Sequence, residues 1–304
     1  MSAFASLLDR ARGEGRTLVM GILNVTPDSF SDGGRFEAEA AWRARAEALL
    51  AEGADVVDVG GESTRPGSSP VDAAEQCRRV LGPIRFLARE LGACVSVDTT
   101  SPAVAERALG EGAALVNDVS CLADPALAGA AARAGAWLLV MHSRGSMGAM
   151  RGYSDHPKAA YADVAAEVRA ELGRALERAR AAGLPEGRAM VDPGLGFHKN
   201  AEQSYALLAA LPALAALGAP VAVGASRKSF LARDVAAPPA RRLGGTVAAC
   251  LLAARLGAEL VRVHDVLEVR QALAVQRRLL APLEASLRAL SGSGSSVEYR
   301  GGSF

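Results

Sequence analysis

Acidic, amide and basic residues stand at the ends of several short apolar segments of this chain. Asp98, Asn117 and Asp192 each close one such segment, and Lys228 follows another. Carboxylate and amide oxygens can accept parallel N–H bonds from a flat heterocycle, as a carboxylate does from a guanidinium. Lys228 could then meet a carbonyl oxygen or ring nitrogen of the same molecule. These residues predict a pocket for a donor-rich heterocycle.

A second set of residues has the chemistry of an anion site. Thr64 and Arg65 lie in the segment GGESTRPGSS, and Arg262 and His264 lie in RVHDV. Guanidinium groups and helix N-termini are common partners of phosphate. The predicted ligand is therefore a heterocycle attached to a phosphate or pyrophosphate group.

The segment GILNVTPDSFSDGG, residues 21–34, changes abruptly from apolar to polar. Its first residues continue an apolar run that is typical of a buried strand, and proline, glycine and short polar residues follow. A connecting turn needs only about two to six residues. The extra length indicates a loop with a function of its own.

Short apolar runs and alanine-rich helical stretches alternate along the chain. Strands are predicted near 18–24, 54–59, 93–98, 114–117, 136–141, 188–191, 219–223 and 259–263. Helices are predicted near 37–52, 72–90, 102–110, 124–134, 159–183, 202–216, 241–256 and 265–282. Strict alternation predicts βαβ units with a parallel sheet, and eight repeats predict an α/β fold closed into a single (β/α)₈ TIM barrel. A doubly wound open sheet is the alternative, since strand number does not prove closure.

In such a barrel the active site lies at the carboxyl ends of the strands. One charged residue behind a strand is ordinary, because it is most often a helix cap or a solvated loop residue. A complete ring is different, since unpaired carboxylates in the barrel mouth would be costly and need a ligand, water or a cation. The predicted strand ends carry, in order, Asn24, Asp58, Asp98, Asn117, Met141 with His142, Asp192, Lys228 with Ser229, and Arg262 with His264.

Composition limits the remaining possibilities. The 34 basic and 33 acidic residues give a net charge of +1, which lacks the excess positive charge of a nucleic-acid binder. No apolar segment reaches the roughly 18 residues needed to span a membrane, and no signal-peptide pattern is present, so a soluble cytoplasmic protein is expected. The four cysteines form no C-x-x-C pair and are expected to be reduced thiols. The predicted organisation is an N-terminal extension (1–17), one catalytic barrel domain (18–284) and a disordered Ser/Gly-rich tail (285–304).

Eight segments resemble, in order, those of the dihydropteroate synthase family: GILNVTPDSFSDGG, DVGGESTRPG, SVDTTSPAV, NDVS, MHSRG, DPGLGF, GASRKS and RVHDV. The resemblance covers about residues 18–282. It implies a (β/α)₈ transferase, commonly homodimeric, with Mg²⁺ as its cofactor. Family enzymes join 6-hydroxymethyl-7,8-dihydropterin pyrophosphate to para-aminobenzoate, giving 7,8-dihydropteroate and pyrophosphate. This is a step of folate biosynthesis and the target of sulfonamides.

The resemblance also implies roles for single residues. The pterin-binding residues would be Asp98, Asn117, Met141, Asp192, Lys228 and Arg262. The pyrophosphate-binding residues would be Asn24, Thr64, Arg65, Arg262 and His264, with Asn24 contacting Mg²⁺. The aminobenzoate-binding residues would be Thr64, Arg65, Pro66, Phe197, Lys228 and Ser229. The catalytic residues would be Asp98, Lys228, Arg262 and His264, without a side-chain nucleophile.

The same resemblance gives the long polar loop a function and marks two departures. NVTPDSFSDGG and GGESTRPGSS resemble mobile loops that close over pyrophosphate and exclude water. The chain has His198 where a small residue is expected and Ser143 where the family often has methionine. His198 follows Phe197 directly, so the shape of the aminobenzoate pocket is the feature that these departures could change.

Three other functions remain open. A zinc hydrolase barrel typically carries two histidines one residue apart on its first strand, which this strand lacks. A pterin-dependent methyltransferase acting on a corrinoid would have no pyrophosphate to hold, and SRKS together with RVHD argues against it. A pterin-binding paralogue without catalysis should have damaged first or second loops, whereas both loop sequences are intact.

Overall fold

The protein is a closed barrel of eight parallel strands in the order β1 to β8, seen in a computed structural model that describes residues 3–26, 35–62, 71–145, 157 and 160–292. The strands are β1 Leu18–Asn24, β2 Val56–Gly60, β3 Val95–Asp98, β4 Leu115–Asp118, β5 Trp137–Met141, β6 Ala189–Asp192, β7 Val221–Val223 and β8 Ala258–Val263. Pairing of β1 with β8 closes the barrel, with Leu18 opposite Leu260. The predicted TIM barrel is confirmed and the open sheet is wrong.

Helices cover the outside of the barrel. They are α1 Ala3–Gly13, α2 Arg35–Ala51, α3 Ala73–Arg85 with a π-helical turn Phe86–Glu90, α4 Pro102–Glu111, α5 Ala126–Arg133, α6 Val164–Ala181, α7 Ala201–Ala209, α8 Leu211–Ala215, α9 Leu243–Arg255 and α10 Val266–Gly292. Short 3₁₀ turns at Ser229–Ala232 and Pro239–Arg241 follow β7.

Two predicted helices have different bounds. The helix predicted over 159–183 begins only at Val164, because the Asp163 carboxylate accepts the free backbone N–H groups of Ala165 and Ala166, both at 3.0 Å. The helix predicted over 202–216 is divided at Ala210. Pro212 stands at the start of the second part, where it has no N–H to continue the hydrogen bonds of the first.

The two ends of the chain also differ from prediction. Residues 1–17 are not merely an extension, since they contain α1, whose buried Phe4, Leu8 and Ala11 form a helical stripe. At the other end α10 continues to Gly292, so part of the segment 285–304 that was expected to be disordered is helical. The sequence LEASLRAL explains this, because it consists mainly of strong helix formers. Residues 293–304 lie outside the described residues.

Alternation along the strands separates the barrel into an apolar lower half and a polar mouth. Successive side chains of a strand point to opposite faces, so every second residue points inward. Near the amino ends of the strands the inward positions are apolar and pack on Phe4 and Leu8 of α1; they are Leu18, Met20, Val56, Leu115, Leu139, Met190, Ala222 and Leu260. The same alternation, carried to the carboxyl ends, places Asn24, Asp98, Asn117 and Asp192 in the mouth.

The outward residues of the strands pack under the helices in the main hydrophobic core, for example Val19, Val57 and Val261. All four cysteines are free thiols, and Cys77, Cys121 and Cys250 are buried. Among the described residues, no helix has both the length and the apolar character required to cross a membrane.

Replacing Phe4 by alanine tests whether α1 is part of the barrel core. Phe4 is fully buried, and its ring contacts Trp137 edge to face, with 5.2 Å between centroids. We expect the free energy of unfolding to fall by about 3 kcal/mol, the usual cost of truncating a buried aromatic side chain. Urea unfolding measures it, with the exposed Ser6→Ala on the same helix as control. Equal stability of the two variants would contradict this packing.

Candidate active site

The strand register brings three of the predicted site residues, Asn24, Asp98 and Asn117, close together at the barrel mouth. Asn24 on β1 pairs with Gly60 on β2, Gly60 pairs with Asp98 on β3, and Asp98 pairs with Asn117 on β4. A methyl group at Gly60 would stand 3.5 Å from Asn24 Oδ1 and 3.9 Å from Asp98 Oδ2. Amide and carboxylate oxygens therefore surround one point of the mouth.

Arg262 crosses the mouth from β8 and joins two carboxylates. Its Nε donates to Asp58 Oδ2 at 2.7 Å, and its Nη2 donates to Asp98 Oδ2 at 2.9 Å. Burial works against the charge of Arg262, but Asp58 and Asp98 outweigh it and raise the pKa of the guanidinium. The arginine is therefore a fixed positive charge in the mouth, held in place by both carboxylates.

Asp58 was predicted at a strand end but was given no role in the site. Its side chain is fully buried, and Oδ2 also accepts a hydrogen bond from Asn117 Nδ2 at 3.0 Å. The other oxygen, Oδ1, is buried and has no hydrogen-bond partner within the part of the chain that the structure describes. A signal was present in the sequence, because a carboxylate inside the apolar strand VVDVG needs a partner.

Asp98 is in an environment that disfavours its charge. Burial raises the pKa of Asp98 to about 7, Arg262 opposes this rise, and the neighbouring Asp58 adds to it. Two carboxylates thus face a single guanidinium. The mouth is suited to a ligand that brings hydrogen-bond donors or positive charge to Asp98.

Asp192 and Lys228 form the opposite side of the mouth. Asp192 Oδ1 accepts the N–H of Gly194 at 2.6 Å, and Oδ2 accepts the N–H of Gly224 at 3.1 Å. A methyl group at Gly224 would stand 3.7 Å from Asp192 Oδ2 and 3.9 Å from Lys228 Nζ. Burial raises the pKa of Asp192 despite Lys228, and burial lowers the pKa of Lys228 to about 7 despite Asp192.

An apolar wall lies beside these charges. Phe197, Met141 and Val119 form a small buried cluster, separate from the main core. Lys228 Nζ lies 4.3 Å from the centroid of the Phe197 ring and donates to the carbonyl oxygen of Leu195 at 2.5 Å. Apolar faces next to polar edges fit a flat, donor-rich ring.

The residues predicted to bind an anion are only partly described. Ser226 Oγ accepts the backbone N–H of His264 at 3.2 Å and lies 3.0 Å from His264 Nδ1, so Ser226 orients the imidazole. Sequence reasoning missed Ser226, whose only signal was its position three residues after the end of β7. Thr64, Arg65 and Pro66 lie outside the described residues, as do the glycines of both predicted mobile loops at 33, 34 and 67. Ser229 opens the 3₁₀ turn directly behind Lys228.

The comparisons with known proteins agree with this geometry. The family described as "Pterin binding enzyme" matches residues 20–264, from β1 to the end of β8. A dihydropteroate synthase of Mycobacterium leprae is 48% identical over 255 residues, which are 82% of this chain and 88% of the relative.

The chain belongs to the dihydropteroate synthase family.

Solved structures of that family share the fold. The dihydropteroate synthase of Xanthomonas albilineans with 4-aminobenzoic acid is 42% identical, covers 88% of this chain and 94% of its own, and has a TM-score of 0.79. The structure in complex with 7,8-dihydropteroate from the same organism has 39% identity, the same coverage and a TM-score of 0.75. The predicted family is thereby confirmed. The roles given to single residues stay predictions, although Asn24, Asp98, Asn117, Asp192, Lys228 and Arg262 do lie at one mouth.

Replacing Asp98 by asparagine tests whether its charge is costly in the absence of ligand. Folding raises the pKa of Asp98, so the protonated carboxyl favours the folded state. This contribution is complete below the unfolded pKa of about 4 and is lost as the pH rises toward about 7. Asparagine does not ionise and can still accept a hydrogen bond from Arg262. We expect Asp98→Asn to be more stable than the parent at about pH 8, by about 1 kcal/mol or more, and similar near about pH 4.

Urea unfolding at both pH values measures this difference, with Asp9→Asn on the exposed face of α1 as control. A stability difference between parent and Asp98→Asn that does not change with pH would show that the charge of Asp98 is fully compensated in the folded protein.

Proposed function

We propose that this chain is a dihydropteroate synthase of folate biosynthesis. It condenses 6-hydroxymethyl-7,8-dihydropterin pyrophosphate with para-aminobenzoate and releases 7,8-dihydropteroate and pyrophosphate. The observation that carries the proposal is Arg262, which is held between Asp58 and Asp98 in a mouth that also contains Asn117, Asp192 and Lys228. Relatives with 7,8-dihydropteroate and with 4-aminobenzoic acid support it.

In this proposal the pterin lies across the mouth. Its amino and ring N–H groups donate to Asp192 and to the oxygen of Asn117, while Lys228 meets the carbonyl or ring nitrogen. The excess carboxylate charge at Asp98 is then used in the reaction. Positive charge develops on the pterin methylene as its C–O bond breaks, and a fixed carboxylate nearby stabilises that charge.

The leaving pyrophosphate lies on the side of Arg262 and His264. Arg262 cannot turn away, because two carboxylates hold its Nε and Nη2. His264 is oriented by Ser226. Closure of the two loops NVTPDSFSDGG and GGESTRPGSS, the second of which contains Thr64, Arg65 and Pro66, is proposed to complete this side and exclude water from the reactive pterin.

Mg²⁺ is proposed as the cofactor, with Asn24 as its protein contact. The donor atoms fit, because Mg²⁺ prefers oxygen ligands and usually binds through one or two protein oxygens together with substrate phosphates. In the described ranges, no group of three or more His, Cys, Asp or Glu side chains could hold a metal ion by itself. When bound, Mg²⁺ would offset the charge of the leaving group.

The aminobenzoate is proposed to lie against Phe197, the stem of Lys228 and Ser229. Its aniline nitrogen attacks the pterin methylene directly. The new C–N bond forms as the C–O bond to pyrophosphate breaks, and the nitrogen then loses one proton. No side-chain nucleophile takes part, so the protein contributes orientation, exclusion of water and electrostatic stabilisation.

A homodimer is also proposed. Large apolar side chains are exposed on neighbouring faces of α9 and α10, where Leu252 is 46%, Leu267 56%, Val275 54% and Leu279 61% exposed. A groove that includes Val247 and Leu251 of α9 lies beside Val275 and Leu279 of α10. Exposed apolar side chains beside a mainly apolar groove are typical of an interaction surface, and a second copy related by a twofold axis would cover them. The cytoplasmic location stays a prediction.

The activity is tested by mixing the full chain with 6-hydroxymethyl-7,8-dihydropterin pyrophosphate and Mg²⁺, with and without para-aminobenzoate. Pyrophosphate release and dihydropteroate are measured in parallel. Product formed only in the presence of para-aminobenzoate, and lost when EDTA removes Mg²⁺, is expected. Pterin binding without turnover would instead support the non-catalytic paralogue.

Lys228→Ala and Asp192→Asn are expected to lower kcat/KM by about 100-fold or more and to weaken pterin binding. The reason is that each removes a fixed charge in a water-excluded site, where such groups have their largest effects. Arg233→Ala is the matched control, because Arg233 is exposed and stands directly after the 3₁₀ turn Ser229–Ala232, which Lys228 directly precedes. Circular dichroism checks the fold. Near-normal turnover in either variant would show that the pterin side of the mouth has been assigned wrongly.

Introducing charge on α10 tests the homodimer. The double variant Val275→Lys/Leu279→Lys is expected to halve the molar mass in analytical ultracentrifugation, since two lysines facing their copies across a twofold axis repel each other. Leu91→Lys is the control, because Leu91 is an exposed leucine at another position of the surface. A dimer that survives the double variant would place the interface elsewhere, and a monomeric parent would refute the dimer itself.

A further inference from the structure

The loop after β5 and the turn after β6 are connected by two side-chain contacts between consecutive residues of each segment. His142 Nδ1 lies 2.9 Å from Lys199 Nζ, and in the next pair Ser143 Oγ lies 3.0 Å from His198 Nδ1. All four side chains are buried. We call these two contacts the clasp. The mechanism proposed above uses none of its residues.

Lys199 is the centre of the clasp. Its side chain is fully buried, and its Nζ also donates to the carbonyl oxygen of Phe197 at 2.9 Å. Burial, together with the nearby Lys228, lowers the pKa of Lys199 to about 7. A buried amine is costly unless its hydrogen bonds are made. These contacts therefore hold Lys199 in one position, and Lys199 in turn holds the carbonyl of Phe197.

His142 connects this lysine to the surface helix α6. Burial and the charge of Lys199 lower the pKa of His142 to about 3, so the imidazole is neutral. Its Nε2 lies 2.8 Å from Glu171 Oε2, which can only accept, so the ring proton is on Nε2 and Nδ1 accepts from Lys199. Arg144 binds Glu171 through both oxygens. The hydrogen bonds that start at Lys199 thus continue through His142 to the ion pair of Glu171 with Arg144.

The turn that the clasp holds has little freedom. His198 has a φ of 51°, in the left-handed region that costs a residue with a Cβ about 1 kcal/mol or more. Gly194, at the start of the turn, has a φ of +66°, and a Cβ there would stand 2.0 Å from the His142 carbonyl oxygen. The turn therefore packs directly on the backbone of the β5 loop.

Phe197 is the residue that this turn presents to the mouth. Its ring lies against Met141, and Lys228 Nζ lies over it. Its own carbonyl is bound by Lys199, and the next residue is bound by Ser143. The backbone that follows the Phe197 ring is consequently fixed from the β5 loop.

We infer that the clasp is a positioning device for the Phe197 wall of the aminobenzoate subsite, with Lys199 as its main positioning residue. The inference rests on the proposed function, since it concerns one of its two substrates. It also explains the two departures from the family pattern. Ser143 and His198 contact each other, so the two departures act as a pair.

The test compares KM values for the two substrates in five proteins: the parent, Lys199→Met, Ser143→Ala, His198→Gly and Ser143→Ala/His198→Gly. Glycine accepts the φ of 51° without strain, so His198→Gly removes the imidazole alone. Ser96→Ala is the control, because Ser96 is a fully buried hydroxyl of β3 outside the clasp. Amide exchange over residues 194–199, measured without substrate, reports the mobility of the turn independently of activity.

We expect Lys199→Met to raise KM for para-aminobenzoate by about tenfold, as for a lost hydrogen bond to a charged group, while KM for the pterin substrate changes less than about twofold. Amide exchange of the turn should accelerate. Ser143→Ala and His198→Gly should each raise the same KM by a smaller factor. The double variant should be no worse than the more affected single variant, because both remove one contact.

Equal changes in both KM values, or none, would overturn the inference even if exchange accelerates, since the clasp would then be structural only. Effects of Ser143→Ala and His198→Gly that multiply in the double variant would refute the pairing. If Lys199→Met does not fold, the KM values of Ser143→Ala, His198→Gly and their double variant still test the inference. A parent that makes no dihydropteroate refutes the proposed function instead, before any variant is measured.

Discussion

The site is organised around one guanidinium that shares two buried carboxylates. Arg262 reaches from β8 to Asp58 on β2 and Asp98 on β3, so it joins β8 to two strands with which β8 does not pair. Removing Arg262 would leave two buried carboxylates without a compensating charge and is therefore expected to be strongly destabilising. The charges are nevertheless not balanced, because two carboxylates share one positively charged arginine. The fold thus maintains a deficit of positive charge at the point where the substrate is proposed to develop it.

The barrel can tolerate this charge because the residues that stabilise the fold and the polar residues of the site lie at opposite ends of the strands. Inward residues near the amino ends of the strands are leucine, methionine, valine and alanine, packed on α1. Two residues further along the same strands the inward positions become Asp58, Asn117 and Asp192, among others. One periodicity therefore produces both a close-packed base and a polar mouth. Substitutions in the base should change folding, whereas substitutions in the mouth should change chemistry.

Sequence reasoning succeeded where the information is local. Strands, their alternation with helices and the polar residues at strand ends follow from short-range patterns, and the observed strands differ from prediction by at most two residues at either end. It failed where a partner is distant in the chain. Asp58 was recognised at a strand end but not as the partner of Arg262, because the two residues are 204 positions apart. The contact between His142 and Lys199, which are 57 positions apart, was missed for the same reason. The division of the helix at Ala210 could have been predicted from Pro212.

The position of α1 has a consequence for how the chain reaches this structure. The helix precedes every strand in the sequence, yet Phe4 and Leu8 are buried against Met190 on β6 and Leu260 on β8, which come late. Contacts of such long sequence separation form slowly, because the entropy of closing the intervening chain must be lost first. Until β8 joins β1, the apolar stripe of α1 has no complete surface to cover. The helix can therefore pack in its final position only after the barrel has closed. Until then its apolar stripe, which includes Phe4, is exposed to other chains.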